Sequence, residues 1–416
     1  MSEEERFHHE RLPCGVEFAA LPIAGRRTAT FEIRILAGMA NEPSDKLGIA
    51  NLVAESIDKG TAKRSGQALN DAFDAIGAQR SLFAGREAFV FRCTCLPEFV
   101  GQALALHVEL LRTPAFPEES CAVAIDLAKQ ELTALDDEPD EMLRKFLARH
   151  GYGEVLGRHT FGTRESLDRI TGEDISAYWR SHFGAARMLV SAGGVVDVDR
   201  FSEALEARFE GFGNGTGDGR ATFPLEFSPG RRHYDKKLEQ EYIGICWPGV
   251  PKTHPDYSVE VVLLAVLSGG MSSRLFTEVR EKQGLVYWVG AWNEHPRGAG
   301  MMFAGASSTP PNCDKTYRSL LREVDRLAED ISEEEMARAK VGIAAKRETH
   351  GDATSSRVGE LGADLFHYGR PVPRQEKLDK VMAVTIDDVR RYLGEQPRDR
   401  LCVVTLGPRP LEDQAP

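Results

Sequence analysis

The chain reads as an α+β protein built from two homologous halves, and three observations carry that reading. Apolar runs of strand type alternate with helical periodicities along the whole length. The second half repeats the order of the first at an offset of about 214 positions. A stretch rich in glycine, Gly211-Phe-Gly-Asn-Gly-Thr-Gly-Asp-Gly-Arg220, followed by Pro224, Pro229 and charged residues to Lys237, separates them. Its composition predicts a mobile, exposed connection. The domain boundaries follow as 1–211, a linker at 212–236, and 237–416.

In the first half, the apolar runs Thr30 to Leu36 and Ala88 to Thr94 predict strands that enclose a helix beginning near Gly48. That helix places Ile49, Leu52, Val53 and Ile57 on one face and Asn51, Glu55 and Asp58 on the other. Helices follow at Gly101 to Leu111 and, opened by Pro117-Glu-Glu, from Pro117 to Leu135. Ile170-Thr-Gly-Glu-Asp contains a helix-start signal of the Thr-x-x-Asp type, and Arg187-Met-Leu-Val-Ser-Ala-Gly193 reads as a buried strand. The second half answers in the same order. Strands are predicted from Tyr242, at Leu285 to Ala291 and at Met301 to Ala306, with a helix at Val259 to Leu267. Ser332-Glu-Glu opens a long helix, Val384-Thr-Ile-Asp-Asp repeats the helix start, and Arg400 to Gly407 repeats the closing strand.

With 416 residues, 42% of them hydrophobic and 28% charged, the chain has the composition of a folded globular protein of two or three domains. Its acidic start lacks the basic and apolar regions of a signal peptide, and no stretch approaches a membrane span, so a cytoplasmic location away from membranes is expected. A net charge of −12 argues against nucleic-acid binding. The 11 histidines include neither HExxH nor HxxEH, and His8 and His9 lie in a charged N-terminal tail. The 7 cysteines show no CxxC; Cys93 and Cys95 share one face of a strand and read as buried free thiols.

The segment from Ser268 to Trp288 carries the strongest chemical signal. Ser272 or Ser273 can cap a helix whose apolar stripe is Leu275, Phe276 and Val279, and Gly284 can end it. Tyr287 then starts a strand, sharing a face with Leu285, Val289 and Ala291. Arg280 at the helix end and Tyr287 at the strand start therefore converge. Both donate hydrogen bonds, so together they can hold a peptide carbonyl while negative charge grows on its oxygen. As a cation near a helix start, Arg274 opposes the helix dipole and calls for a carboxylate partner.

Gly-Gly-Met-Ser-Ser-Arg-Leu-Phe at 269–276 and Val-Arg-Glu-Lys-Gln-Gly-Leu-Val-Tyr at 279–287 resemble the C-terminal half-signature of the insulinase or pitrilysin family of zinc peptidases, which includes processing peptidases. The resemblance covers nearly the whole chain. It implies two homologous α+β domains, each a mostly antiparallel sheet with helices packed on one face, joined by the linker into a clamshell. It also implies that Arg280 and Tyr287 bind substrate and polarise the scissile carbonyl. The family's zinc motif, HxxEH, aligns with the helix after Gly48, where Lys59-Gly60-Thr61 fixes the register. There the two ligand histidines are Asn51 and Glu55, the water-activating glutamate is Ala54, and Glu131 falls near the place of the distant third ligand.

Catalytic zinc needs about three protein ligands and a carboxylate that takes a proton from the bound water. Asn51 and Ala54 provide neither, so no metal is expected in this chain. The resemblance thus implies the zinc-free subunit of a heterodimeric metalloendopeptidase, with zinc held by a homologous partner that carries HxxEH and with an unfolded or short peptide as substrate. Two other readings remain open at this point. One is an inert structural homologue similar to respiratory-complex core subunits, and the other is a self-sufficient peptidase with an atypical site built on Glu55 and Glu131.

Overall fold

The computed structural model describes residues 5–213, 217, 219–395 and 400–412. Residues 214–216 and 218 of the expected linker, and the first four residues, lie outside the described ones. The chain divides into two compact units, each mixed α and β around its own sheet.

The first unit gathers Met1–Ala134, Arg158–Thr222 and His350–Pro373. Its strands are β1 (His8–Arg11), β2 (Glu17–Pro22), β3 (Ala29–Ile35), β4 (Gln79–Ala84), β5 (Phe89–Cys95) and β6 (Met188–Gly194), in the order β1-β2-β6-β3-β5-β4. All pairings are antiparallel except that of β2 with β6. Alternation along the strands makes two faces. Phe18, Phe31, Ile33, Phe91 and Val190 point into the main core. That core is closed by α1 (Ile49–Ser56), α2 (Gly66–Asp74), α3 (Val100–Arg112) and α4 (Glu118–Ala134), and by α6 (Arg164–Leu167), α7 (Gly172–His182) and α8 (Val198–Phe209).

The second unit gathers Leu135–Gly157, Phe223–Thr349 and Arg374–Pro416. Its strands are β7 (Gly230–Asp235), β8 (Glu241–Gly249), β9 (Val286–Glu294), β10 (Gly300–Ser308) and β11 (Cys402–Gly407), in the order β7-β11-β8-β10-β9. Only β7 and β11 run parallel. Ile243, Ile245, Ala306 and Val403 face a core that is closed by α9 (Tyr257–Ser268), a helical turn at Phe276–Lys282, α10 (Cys313–Asp330), α11 (Glu333–Gly351), α13 (Arg374–Ala383) and α14 (Ile386–Glu395). The duplication is plain in the element order: α9 stands where α1 stands, the turn at 276–282 where α2 stands, and β9, an edge strand, where edge strand β4 stands.

Two corrections to the sequence reading come from this partition. The contiguous domains 1–211 and 237–416 are not the structural units, and the helices do not all cover one face. Helix α5 (Pro139–Leu156), from the first half, lies on β8 and β11 in the second unit; helix α12 (Thr354–Tyr368), from the second half, lies on β2, β3 and β6 in the first. Each covers the sheet face opposite the main core. There Ala19, Leu21, Leu36 and Leu189 need apolar cover and receive it from Leu361, Leu365 and Phe366. Close approach depends on glycine in both units. A Cβ at Gly244 of β8 would collide with Leu147, and one at Gly362 of α12 would stand 2.5 Å from Glu32 Oε1. Beneath α12, the buried Glu32 carboxylate accepts from Arg34 Nε at 2.5 Å and from Arg92 Nε at 3.0 Å.

The expected linker is also shorter, because residues 230–235 form β7, and the described residues around it are tied down. Arg220 pairs with Glu17, and Ser228 N donates to the His150 carbonyl at 2.9 Å. Likewise His8 and His9 sit in β1, next to Glu10 and Glu17 respectively, rather than in a tail. No helix among the described residues is long and apolar enough to cross a membrane.

Candidate functional site

In the second unit, α9 ends at Ser268 and the chain turns through Gly269 and Gly270, with Ser273 N donating to the Gly270 carbonyl at 3.0 Å. Arg274 then anchors the segment. Its side chain is 7% exposed, and its guanidinium donates to Glu335 through Nε and Nη2 at 2.7 and 2.8 Å and to Asp330 Oδ1 at 2.8 Å. The carboxylate partners required by its position at a helix start are thus present, and its role is structural. The stripe Leu275 and Val279 is buried in the core as expected, with Phe276 half-buried beside it.

The turn at Phe276–Lys282 is a π-helix rather than the α-helix expected, and neither serine caps it by its side chain. The wider turn closes as Leu285 N reaches back to the Val279 carbonyl at 3.2 Å and Gly284, at φ 60°, takes the left-handed conformation that favours glycine. A second irregularity follows at once. On β10, Ser307 pairs with Trp288 and Ser308 with Val286, so Tyr287 is the extra residue of a β-bulge. Val289 and Ala291 pack against the core, whereas Tyr287 is 77% exposed, so the predicted sharing of one face fails at the bulge. The convergence survives. The Arg280 guanidinium lies 5.8 Å from the centre of the Tyr287 ring and 5.0 Å from that of Phe276, which supports it from the other side. Together they leave a cation and a phenol exposed at the start of an edge strand.

In the first unit, α1 begins at Gly48 (φ 93°), where the buried Glu42 carboxylate accepts the backbone N–H groups of Gly48 and Ala50, both at 3.0 Å. Ile49, Leu52, Val53 and Ile57 are buried as predicted. Asn51 is half-buried, Ala54 is buried, and Glu55 is exposed. Glu131 is exposed on α4, which packs on α1.

A cleft of about 260 Å³ opens beside the motif, lined by Ala54, Glu55, Asp58, Arg80, His107 and their neighbours; neither Asn51 nor Glu131 lines it. Arg80 crosses it from β4, stacked 4.6 Å over Phe73 and 3.4 Å from Asp58. His107 is held edge-on between Phe31 and Phe73, its Nδ1 bonds the Ala103 carbonyl at 2.9 Å, and burial pushes its pKa down to about 4. The donors do not fit zinc. An amide, a methyl group and one exposed carboxylate stand at the motif, a guanidinium stands beside it, and no cluster of three metal-ligating side chains occurs among the described residues.

Sequence reasoning missed Arg80 and His107. The position of His107 on the apolar face of α3 was a readable signal for burial; Arg80 had none.

The model for "Insulinase (Peptidase family M16)" matches residues 19–164, and that for "Peptidase M16 inactive domain" matches 169–342. The chain belongs to the insulinase family of peptidases. Among its insulinase-family relatives, an uncharacterized zinc protease of Rickettsia felis is 26% identical over 93% of this chain and 94% of its own length. The probable β subunit of the mitochondrial processing peptidase of Arabidopsis thaliana is 24% identical over 95% of this chain and 77% of its own. A peptidase M16 inactive domain from Pseudomonas fluorescens superposes with a TM-score of 0.90 at 19% identity, over 98% of this chain and 99% of its own. A protease from Helicobacter pylori superposes at 0.88 and 16%, over 97% and 100%. These two likenesses establish the insulinase fold.

Proposed function

We propose that this chain is the zinc-free subunit of a two-chain insulinase-type endopeptidase, presenting Arg280 and Tyr287 to a peptide bond that a partner's metal site attacks. One observation carries the reading: the two donors are brought together and left exposed, while the motif positions Asn51, Ala54 and Glu55 hold no metal-binding set. An exposed tyrosine and arginine stacked at the start of a strand add little to stability, so the arrangement calls for another purpose.

The chemistry asked of this chain is modest. Arg280, charged at any working pH, and the Tyr287 hydroxyl donate to the carbonyl oxygen of the bond to be cut, and these bonds strengthen as that oxygen gains charge. Edge strand β9 offers backbone groups to an extended peptide whatever its sequence, so an unfolded or short peptide is the substrate class. The partner is a homologous chain with an intact HxxEH, and it supplies both the zinc and the nucleophile.

Peptide hydrolysis is to be measured with this chain alone, the partner alone, the mixture, and the mixture carrying Arg280→Ala or Tyr287→Phe. Only the wild-type mixture is expected to be active, with each substitution lowering its rate on the order of 10² to 10³. Undiminished rates in both variants would remove the proposed roles.

A further inference from the structure

The second unit holds a groove that the chemistry above does not use. Helix α9, Tyr-Ser-Val-Glu-Val-Val-Leu-Leu-Ala-Val-Leu-Ser, is apolar nearly all round, a pattern that asks for cover on every side. Val262, Leu263, Val266 and Leu267 receive that cover from the core, but the stripe Val261, Leu264 and Ala265 is only half-buried. Facing it across a groove of about 390 Å³ is a stripe of α11, Ala339, Gly342 and Ile343, whose small residues leave the space open. A Cβ built at Gly342 meets nothing within 4 Å.

The volume falls in the range of ligand sites and holds several side chains. One end is closed by the loop Gly269 to Ser273, where Met271 stands 77% exposed. Ala291 of β9 completes the wall, about 13 Å along the same edge strand from Tyr287 at 3.3 Å per residue. Lys346 stands on the rim with Arg338, which pairs with Glu334 at 3.2 Å, while Glu335 is engaged by Arg274.

We propose that this groove is a specificity site that takes the apolar side chains, at alternate positions, of an extended peptide lying along β9, with acidic residues of that peptide favoured by Lys346. The inference rests on the reading of Arg280 and Tyr287 as the peptide-bond site. Continuity along one edge strand links the two: a peptide paired with β9 points every second side chain toward the helix face of the sheet, where Val289 and Ala291 already point. Main-chain pairing then serves any sequence, and the groove selects among them.

The test uses the whole chain without a partner. Fluorescence anisotropy would follow a short labelled peptide that alternates leucine with glutamate and threonine, beside one with serine for leucine. Gly342→Leu fills the groove from a helical position where leucine is the better helix former, so folding should hold; Leu264→Gln makes the groove polar without filling it, and circular dichroism checks both. The leucine peptide should bind at least about tenfold more tightly than the serine peptide, and both variants should erase that preference. Equal binding of the two peptides, or wild-type preference in both folded variants, overturns the proposal. So does a change in sedimentation on Gly342→Leu with peptide binding unaltered, since the groove would then be covered by a second copy of the chain. Failure of the peptide-bond site reads differently: the leucine preference would persist and respond to Gly342→Leu while the mixture hydrolyses nothing or ignores Arg280→Ala.

Discussion

Replacing Glu42 by glutamine tests how the motif helix is held, and its size can be worked out from the surroundings of the carboxyl. Glu42 is 4% exposed, and burial pushes its pKa from 4.5 up to about 7, against the pull of the Gly48 and Ala50 N–H groups and of Arg158. A folded-state pKa above the unfolded one means that the folded chain holds the proton more tightly. The stabilising contribution is therefore complete below about pH 4.5 and is lost as pH rises through about 7. At about 1.36 kcal/mol per pH unit the loss is on the order of 3 kcal/mol. Glutamine keeps one acceptor and turns an amide N–H toward the other backbone donor, which costs about 1 to 3 kcal/mol at every pH. Hydrogen exchange of the segment spanning α1, corrected for intrinsic exchange rates, reads the opening free energy directly. In the wild type it should fall by about 2 to 3 kcal/mol between pH 5 and pH 8, and in Glu42→Gln it should not change. A difference between the two proteins that stays constant over that range would refute the reasoning.

Gly362→Ala should destabilise the chain by about 1 to 3 kcal/mol in urea titrations, because the new Cβ would stand 2.5 Å from Glu32 Oε1, even though alanine is the better helix former by about 1 kcal/mol; unchanged or raised stability would show that α12 has room to shift. Arg274→Met leaves Glu335 and Asp330 without their shared cation and should cost about 2 kcal/mol in the same titrations. Tyr287→Ala, at a side chain 77% exposed, should leave the unfolding free energy from urea titration within about 0.5 kcal/mol of wild type, separating its chemical role from any structural one. Dialysis of the pure chain against zinc followed by metal analysis should find no stoichiometric ion, since the motif offers one exposed carboxylate at Glu55; tightly bound zinc would revive a self-sufficient site.

What could be read from the sequence was local. The buried face of α1 and the strands whose apolar residues alternate follow from periodicities of two and 3.6, which act within a few residues, and the approach of Arg280 to Tyr287 follows from their standing seven positions apart across one turn. Arg274 announced its carboxylate partners because a cation at a helix start is unfavourable by itself. Edge strands β1 and β7 escaped notice because half of each is solvated, and His8-His-Glu-Arg and Gly230-Arg-Arg-His-Tyr-Asp offer no apolar alternation. The crossing of α5 and α12 could not be read either. An amphipathic helix records that it needs an apolar surface and not which sheet provides one, and here Leu147 and Leu361 found theirs in the opposite half of the sequence. The bulge depends on a register fixed by β10, remote in sequence from Tyr287, and the π-turn on a closing bond from Leu285 N to the Val279 carbonyl that no apolar periodicity announces.

The two irregularities matter most where the duplication is compared with itself. Helix α2 and strand β4 in the first unit, and the π-turn and β9 in the second, occupy the same place in the plan. In the first copy α2 is capped by Ser65, whose side chain accepts from Ala68 N, and β4 pairs with β5 without a register shift. In the second copy the turn is widened by one residue and the strand carries one residue too many, side by side in sequence. Each insertion costs hydrogen-bond quality, and the bulge lets Val286 face the core together with Val289 and Ala291, which strict alternation would forbid, while Tyr287 is turned out to solvent. What they change is the aim of Arg280 and Tyr287, which a regular helix and an unbulged strand would direct differently. The irregular copy is the one that holds the exposed cation and phenol, while the regular copy stands beside the motif helix with Ala54 at its centre. The distortion therefore falls in the copy that carries the pair proposed to hold the peptide carbonyl.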